Sequence, residues 1–110
     1  MSVFQKLQNA IEAQDASQYN EIYHEEFLFV RHQSGSTMNR DEIISMIEKM
    51  FASGAVEQDN HRCLYENDDV MVEHSVMQFP DGSKEAVLVF HQLQDGKILR
   101  TETGATLLKV

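Results

Sequence analysis

Histidine and acidic residues alternate with aliphatic residues along the C-terminal half of the chain. His61, His74, His91 and Glu102 all lie in runs that are rich in β-branched and aromatic residues. An imidazole titrates near neutral pH, so imidazole and carboxylate groups that share a dry site can move protons during a reaction. These residue types suit an isomerisation, a dehydration or a cyclisation. The sequence leaves open whether these groups act on a substrate or only form hydrogen bonds and ion pairs with one another.

Four long β-type runs follow residue 57 and must position these side chains. They are separated by Asn67-Asp68, Asp81-Gly82 and Asp95-Gly96. Such pairs are typical of tight two-residue hairpin turns. We therefore predict a four-stranded antiparallel meander, in which counting outward from each turn assigns every side chain to one of two faces.

The counting brings ionisable side chains together on one inner face, surrounded by aliphatic residues. His74, His91 and Glu102 are predicted to form an acid and base set, with Arg100 as an anion binder and Tyr23 as a hydrogen-bond donor. An apolar wall with a few polar groups is typical of a small-molecule pocket. The other predicted pocket residues are Tyr19, Phe29, Arg31, His61, Cys63, Val72 and Val89.

Two features of this count stay open. A bulge near Thr101 or Gly104 would invert the last strand, and would replace Arg100 and Glu102 by Leu99, Thr101 and Thr103. The alternation of a strand also does not decide whether Arg31 or His32 faces the pocket.

The N-terminal half contains three helix start signals. Ser2, Asp15 and Asn39 each precede a Gln or Glu by three residues and an amphipathic run, and the third helix is predicted to end near Gly54. The run FLFVRHQ between the second and third helices predicts a further strand. The chain is therefore expected to be a single α+β domain over residues 1–110, with three helices packed on a strongly bent antiparallel sheet.

Composition excludes several kinds of partner. The chain has 110 residues and a net charge of −9, which disfavours nucleic acid and anionic membranes because both attract clustered Lys and Arg. Cys63 is the only cysteine and is interpreted as a buried structural thiol. HEEFL is not the zinc motif HExxH, because Leu28 stands at the place of the second histidine. No metal and no cofactor is predicted. Without an apolar signal segment in the first residues, the cytoplasm is the expected location.

Both faces of the predicted sheet are half apolar. Three helices can cover only one of them, so a second copy of the chain is expected on the outer face. We therefore predict a homodimer.

Three segments carry a resemblance to a known family: YHEEFLFV at 23–30, NRDEIISMIEKMF at 39–51 and DGKI at 95–98. Their order resembles that of the nuclear transport factor 2-like superfamily, which includes ketosteroid isomerases and polyketide cyclases. The resemblance implies a cystatin-like cone, a pocket between sheet and helices, and dimerisation through the sheet. The two catalytic acids of the isomerase branch would fall at Arg31 and near Val89, which argues against steroid isomerisation.

Two functions remain open from the sequence. The first is a domain that binds a small apolar or aromatic molecule, with acid and base chemistry in its pocket. The second is a non-enzymatic dimeric module for ligand binding or protein interaction.

Overall fold

The computed structural model describes residues 2–54 and 56–109. In it, the helices pack against one face of a sheet. Three α-helices are found in the described N-terminal half. Their bounds are Val3–Ala13 (α1), Tyr19–Ile22 (α2) and Arg40–Ser53 (α3), with a 3₁₀ turn at Ala16–Gln18 before α2.

The six strands form one mixed sheet in the order β2-β1-β6-β5-β4-β3. β1 and β6 pair in parallel, and all other neighbours are antiparallel. The α+β class is confirmed, but the sheet is not wholly antiparallel, and β2 was not predicted. The strands are Tyr23–Arg31 (β1), Ser36–Asn39 (β2), Glu57–Glu66 (β3), Val70–Gln78 (β4), Lys84–Gln94 (β5) and Lys97–Leu107 (β6).

The predicted helix caps hold α1 and α3 in place. The Ser2 hydroxyl accepts from the backbone N–H of Gln5, and Asn39 with Glu42 forms a reciprocal capping box. Gly54 ends α3 with a φ of 61°, in the left-handed region that favours glycine. The second stripe of apolar residues predicts a helix that ends near His24, but α2 ends at Ile22 because the aromatic and acidic run that starts at Tyr23 already belongs to β1.

The turn between β4 and β5 sets the register of the sheet. The prediction of a two-residue turn at Asp81-Gly82 is wrong, since Gln78 pairs with Lys84 across a five-residue loop. Pairing is therefore shifted by one residue, and His91 lies beside Met71 instead of Val72. Every side chain of β4 lies on the opposite face from the one predicted.

Irregular pairing changes the register of two further strands, β6 and β3. Leu93 pairs with Ile98 but Gln92 pairs with Arg100, so Leu99 is the extra residue of a bulge in β6. This bulge turns Thr101 inward. β3 also shifts register twice along its pairing with β4, and Asn60 lies there with a φ of 53°. The turn at Asp95-Gly96 is as predicted, with Gln94 beside Lys97.

One hydrophobic core lies between the helices and the inner face of the sheet. Met71 and Ile98 are fully buried at its centre. None of the helices described here is both long enough and apolar enough to cross a membrane. The remaining buried members of the core are Val3, Leu7, Ala10, Tyr19, Ile22, Tyr23, Phe27, Ile43 and Leu93.

Candidate functional site

A buried carboxylate lies at the centre of the inner face. Glu73 on β4 is 7% exposed, and its two oxygens each meet one imidazole. Oε1 lies 3.0 Å from His61 Nε2 and Oε2 lies 3.0 Å from His91 Nε2. The Nδ1 atom of His91 lies 2.7 Å from the Thr101 hydroxyl. The four residues come from β3, β4, β5 and β6, and we call them the Glu73 network.

Electrostatics keep Glu73 ionised. Burial raises the pKa of this carboxyl, but the hydrogen bonds from His61 and His91 outweigh burial and lower the pKa from 4.5 to about 2. An ionised carboxylate can only accept hydrogen bonds, so the Nε2 atom of each imidazole carries its proton. In the neutral form of His91, Nδ1 then accepts from the Thr101 hydroxyl. His61 Nδ1 has no hydrogen-bond partner within residues 2–54 and 56–109.

Two tyrosines, Tyr19 of α2 and Tyr23 of β1, lie near this charge. Burial raises the pKa of Tyr19, and the Glu73 carboxylate raises it further. Burial likewise raises the pKa of Tyr23, with added contributions from Tyr19 and Glu73. Both hydroxyls therefore stay protonated and can donate hydrogen bonds. The two rings lie 5.4 Å apart, and Tyr23 stacks on Phe27 at 4.2 Å.

A cleft of about 550 Å³ opens between the C-terminal ends of α1 and α3 and the first residues of β3. Tyr19 lines this cleft although it is only 4% exposed. No hydrogen bond engages its hydroxyl in the described part of the chain. Most of the wall is apolar. The other lining residues are Ile11, Gln14, Ile47, Met50, Phe51, Gly54, Val56, Glu57, Gln58, Asp59 and Met77.

The structure brings together part of the predicted pocket. His61 and His91 meet in the Glu73 network, and Tyr19 lines the cleft. Tyr23 and Val89 are buried on the same side of the sheet, and Phe29 packs against the core. Whether these residues act on a ligand stays a prediction.

Other predicted residues lie elsewhere. His74 and Val72 face outward, because the register between β4 and β5 differs by one residue from the predicted one. Arg100 and Glu102 face outward because of the bulge at Leu99. On that face Arg100 Nε donates to a Glu102 oxygen at 3.0 Å.

Two more residues depart from their predicted places. Arg31 lies 3.7 Å from Glu85 and donates to Gln33, and it does not line the cleft. Cys63 is an exposed free thiol, not a buried one. The alternation of the strand left open whether Arg31 or His32 faces the pocket. His32 faces outward, and its ring forms a hydrogen bond with Glu102 at 2.8 Å.

The sequence prediction places Glu73 on the outer face, and it brings Thr101 inward only through a bulge near that residue, which the structure has at Leu99. Alternation along β4 offers two stripes, Val70-Val72-His74-Val76 and Met71-Glu73-Ser75-Met77. The valine stripe is the more apolar, which predicts that it faces inward. Pro80 was the available signal, since a residue without a backbone N–H lengthens a turn that would otherwise be closed by ladder hydrogen bonds.

Metal-ligating side chains are not assembled in the described residues. No group of three His, Cys, Asp or Glu is placed there so that it could hold an ion. In the Glu73 network the Nε2 atoms are directed at carboxylate oxygens, which is the geometry of hydrogen bonding.

Comparison with known proteins identifies the fold. The SnoaL-like domain family matches residues 4–101. A search of curated proteins finds no significant match. A nuclear transport factor 2-like protein of unknown function from Mesorhizobium loti superposes with a TM-score of 0.82 at 13% identity, covering 94% of this chain and 88% of that one.

Two further solved structures have the same fold. A proposed ketosteroid isomerase from Kribbella flavida has a TM-score of 0.76 at 11% identity, covering 98% of this chain and 78% of that one. A proposed polyketide cyclase from Streptomyces antibioticus has a TM-score of 0.72 at 12% identity, covering 94% and 88%. At such identities the likeness establishes the fold alone. The chain therefore belongs to the SnoaL-like domain family and has the nuclear transport factor 2-like cone fold.

Proposed function

We propose that this chain binds a small, mostly apolar molecule in the cleft between α1, α3 and β3. The observation that carries the proposal is Tyr19, whose side chain is almost wholly buried and whose hydroxyl stays protonated and forms no hydrogen bond within the described residues, at a largely apolar wall. Among the described residues Arg40 Nε is the one fully buried side-chain polar atom without a partner, so the Tyr19 hydroxyl is accessible from the cleft and can donate to a ligand oxygen. The cleft volume falls in the range of small-molecule sites.

Binding is tested by titrating the protein with a panel of aromatic ketones and alcohols and recording the chemical shifts of its backbone amides by NMR. We expect shifts at Ile47, Phe51 and Met77, which surround the cleft. Tyr19→Phe is expected to weaken the binding of a ketone about threefold to tenfold, since one neutral hydrogen bond is lost. Tyr65→Phe is the matched control, because Tyr65 is exposed on β3. Shifts confined to other surfaces, or equal effects of the two variants, would contradict the proposal.

A second candidate is acid and base catalysis on the bound molecule. The Glu73 network favours it, because an ionised carboxylate that orients an imidazole is a common arrangement for proton transfer. His61 Nδ1 would be the exchanging atom. His61 is not one of the residues that line the cleft, so this chemistry requires the bound molecule to extend beyond the cleft along β3 to His61. Two neighbours of the same fold are a proposed isomerase and a proposed cyclase, which makes proton transfer the first chemistry to test.

This second candidate has its own experiment. A ketone that binds is kept with the protein in D₂O, and exchange of the hydrogens next to its carbonyl is followed by NMR. We expect wild-type protein to accelerate exchange and His61→Gln to lose the acceleration. His74→Gln is the control, since His74 faces outward. If wild-type protein accelerates no exchange, the non-enzymatic alternative is favoured.

We also propose a homodimer through the outer face of the sheet. Leu88 and Phe90 are 50% and 40% exposed there, and Tyr65 is 57% exposed. Val72 pairs with both Tyr65 and Phe90, so the four residues form a continuous apolar patch. A patch of this kind is typical of an interface between protein chains. The proposed location is the cytoplasm, which suits the exposed thiol of Cys63.

A further inference from the structure

The charged side chains that line the cleft in the described residues are all acidic. Glu57 and Asp59 of β3 line it, and no lysine or arginine does so within the described residues. Glu57 is exposed, and its side chain forms no ion pair or hydrogen bond there. Asp59 accepts a hydrogen bond from the Gln78 amide, which leaves its negative charge uncompensated. The Glu73 carboxylate, close enough to raise the pKa of Tyr19, adds negative potential from behind.

We propose that the cleft selects a cationic amphiphile, an apolar molecule that carries a protonated amine. This inference rests on the proposed function and names the ligand class of the same site. The apolar body would lie against Ile47, Met50 and Phe51, and the amine would lie beside Glu57 and Asp59. A carboxylate or phosphate ligand would lose hydration without meeting a cation in exchange.

The arrangement of polar groups supports two separate contacts. Tyr19 follows α1 and belongs to the buried core, whereas Glu57 is exposed at the start of β3. A ligand would therefore place its hydrogen-bonding group toward Tyr19 and its amine toward solvent. Keeping the amine partly hydrated avoids most of the cost of burying a charge.

The test compares three probes with one aromatic body: naphthylmethylamine, naphthylmethanol and naphthoate. Their affinities are measured by amide chemical shifts at low ionic strength. We expect the amine to bind about threefold to tenfold tighter than the alcohol, because partly exposed charge pairs contribute modestly. The acid is expected to bind more weakly than the alcohol. Added salt should shrink the advantage of the amine and leave the alcohol unchanged.

Matched variants locate the charge effect. Glu57→Gln and Asp59→Asn should each reduce the advantage of the amine over the alcohol without weakening the alcohol. Glu25→Gln removes the same charge from β1, outside the cleft, and should leave the advantage intact.

The outcomes separate this inference from the proposed function. If the alcohol binds in the cleft and the amine binds no tighter, the cationic class is wrong and the binding function stands. If Glu25→Gln acts as strongly as Glu57→Gln, the preference comes from overall charge and the proposed contact is wrong. If none of the three probes shifts the cleft, both proposals fail.

Discussion

Replacing Glu73 by Gln removes the charge at the centre of the buried network while keeping the shape of the side chain. The amide can accept a hydrogen bond from one imidazole, but its NH₂ group then faces the protonated Nε2 of the other. The network lowers the pKa of Glu73 from 4.5 to about 2. At about 1.4 kcal/mol per pH unit, this difference corresponds to about 3 kcal/mol of stability.

The sign of the pH dependence follows from the lowered pKa. The folded chain favours ionised Glu73, so the stabilisation is complete above about pH 5 and is lost as the pH falls from about 4.5 toward about 2. We therefore expect Glu73→Gln to be about 3 kcal/mol less stable than wild type at pH 7. The two proteins should approach equal stability near pH 2, where Glu73 of the folded chain is itself about half protonated.

Urea unfolding followed by circular dichroism at several pH values between 7 and 2.5 measures this difference. Glu25→Gln serves as the control, since Glu25 is exposed and its replacement should change little at any pH. Equal stability of Glu73→Gln and wild type at pH 7 would refute the reasoning. A difference that persists undiminished at pH 2.5 would refute it as well, because the loss would then come from shape and not from charge.

Two other changes test what fixes the start of α1 and of α3, and a third tests the proposed dimer. Glu66→Ala should cost about 1 to 2 kcal/mol and speed amide exchange at Val3 and Phe4, because the Glu66 carboxylate accepts from both backbone N–H groups at 2.9 and 3.2 Å. Asn39→Ala should cost about 1 kcal/mol in urea unfolding, because it removes the capping box of α3. Phe90→Lys should leave the circular dichroism spectrum unchanged and shift the sedimentation coefficient from dimer to monomer, because it places a charge in the outer apolar patch.

Each of these three has an outcome that contradicts it. Unchanged exchange in the first turn of α1 would mean that Glu66 does not hold the helix. Full stability after loss of the Asn39 side chain would mean that packing alone fixes the start of α3. A wild-type chain that sediments as a monomer at high concentration would remove the proposed dimer altogether.

Local signals in the sequence were sufficient for α1, α3 and β5. Capping at Ser2 and Asn39 depends on contacts between residues three apart, which can be read directly from the chain. The inward side of β5 follows from the turn at Asp95-Gly96, and His91 was placed correctly for that reason.

The positions that failed depend on a loop length and on a bulge, neither of which the alternation of residues along a strand specifies. The face of β4 is set by the length of the loop from Phe79 to Ser83, in which the Asp81 carboxylate binds the backbone and hydroxyl of Ser83. The face of β6 depends on the extra residue at Leu99. Hydrophobicity could not correct the error in β4, because its outer stripe is richer in valine than the inner stripe that carries Glu73.

The parallel pairing of β1 with β6 has a consequence for how the chain is made. β6 is the last strand of the sheet to leave the ribosome, yet it lies between β1 and β5. Until it arrives, the early hairpin with α3 and the later meander are two unjoined pieces, and each presents a bare strand edge. Closure of the sheet is therefore a late step in biosynthesis, and a nascent chain that stalls before Lys97 would expose both edges to other chains.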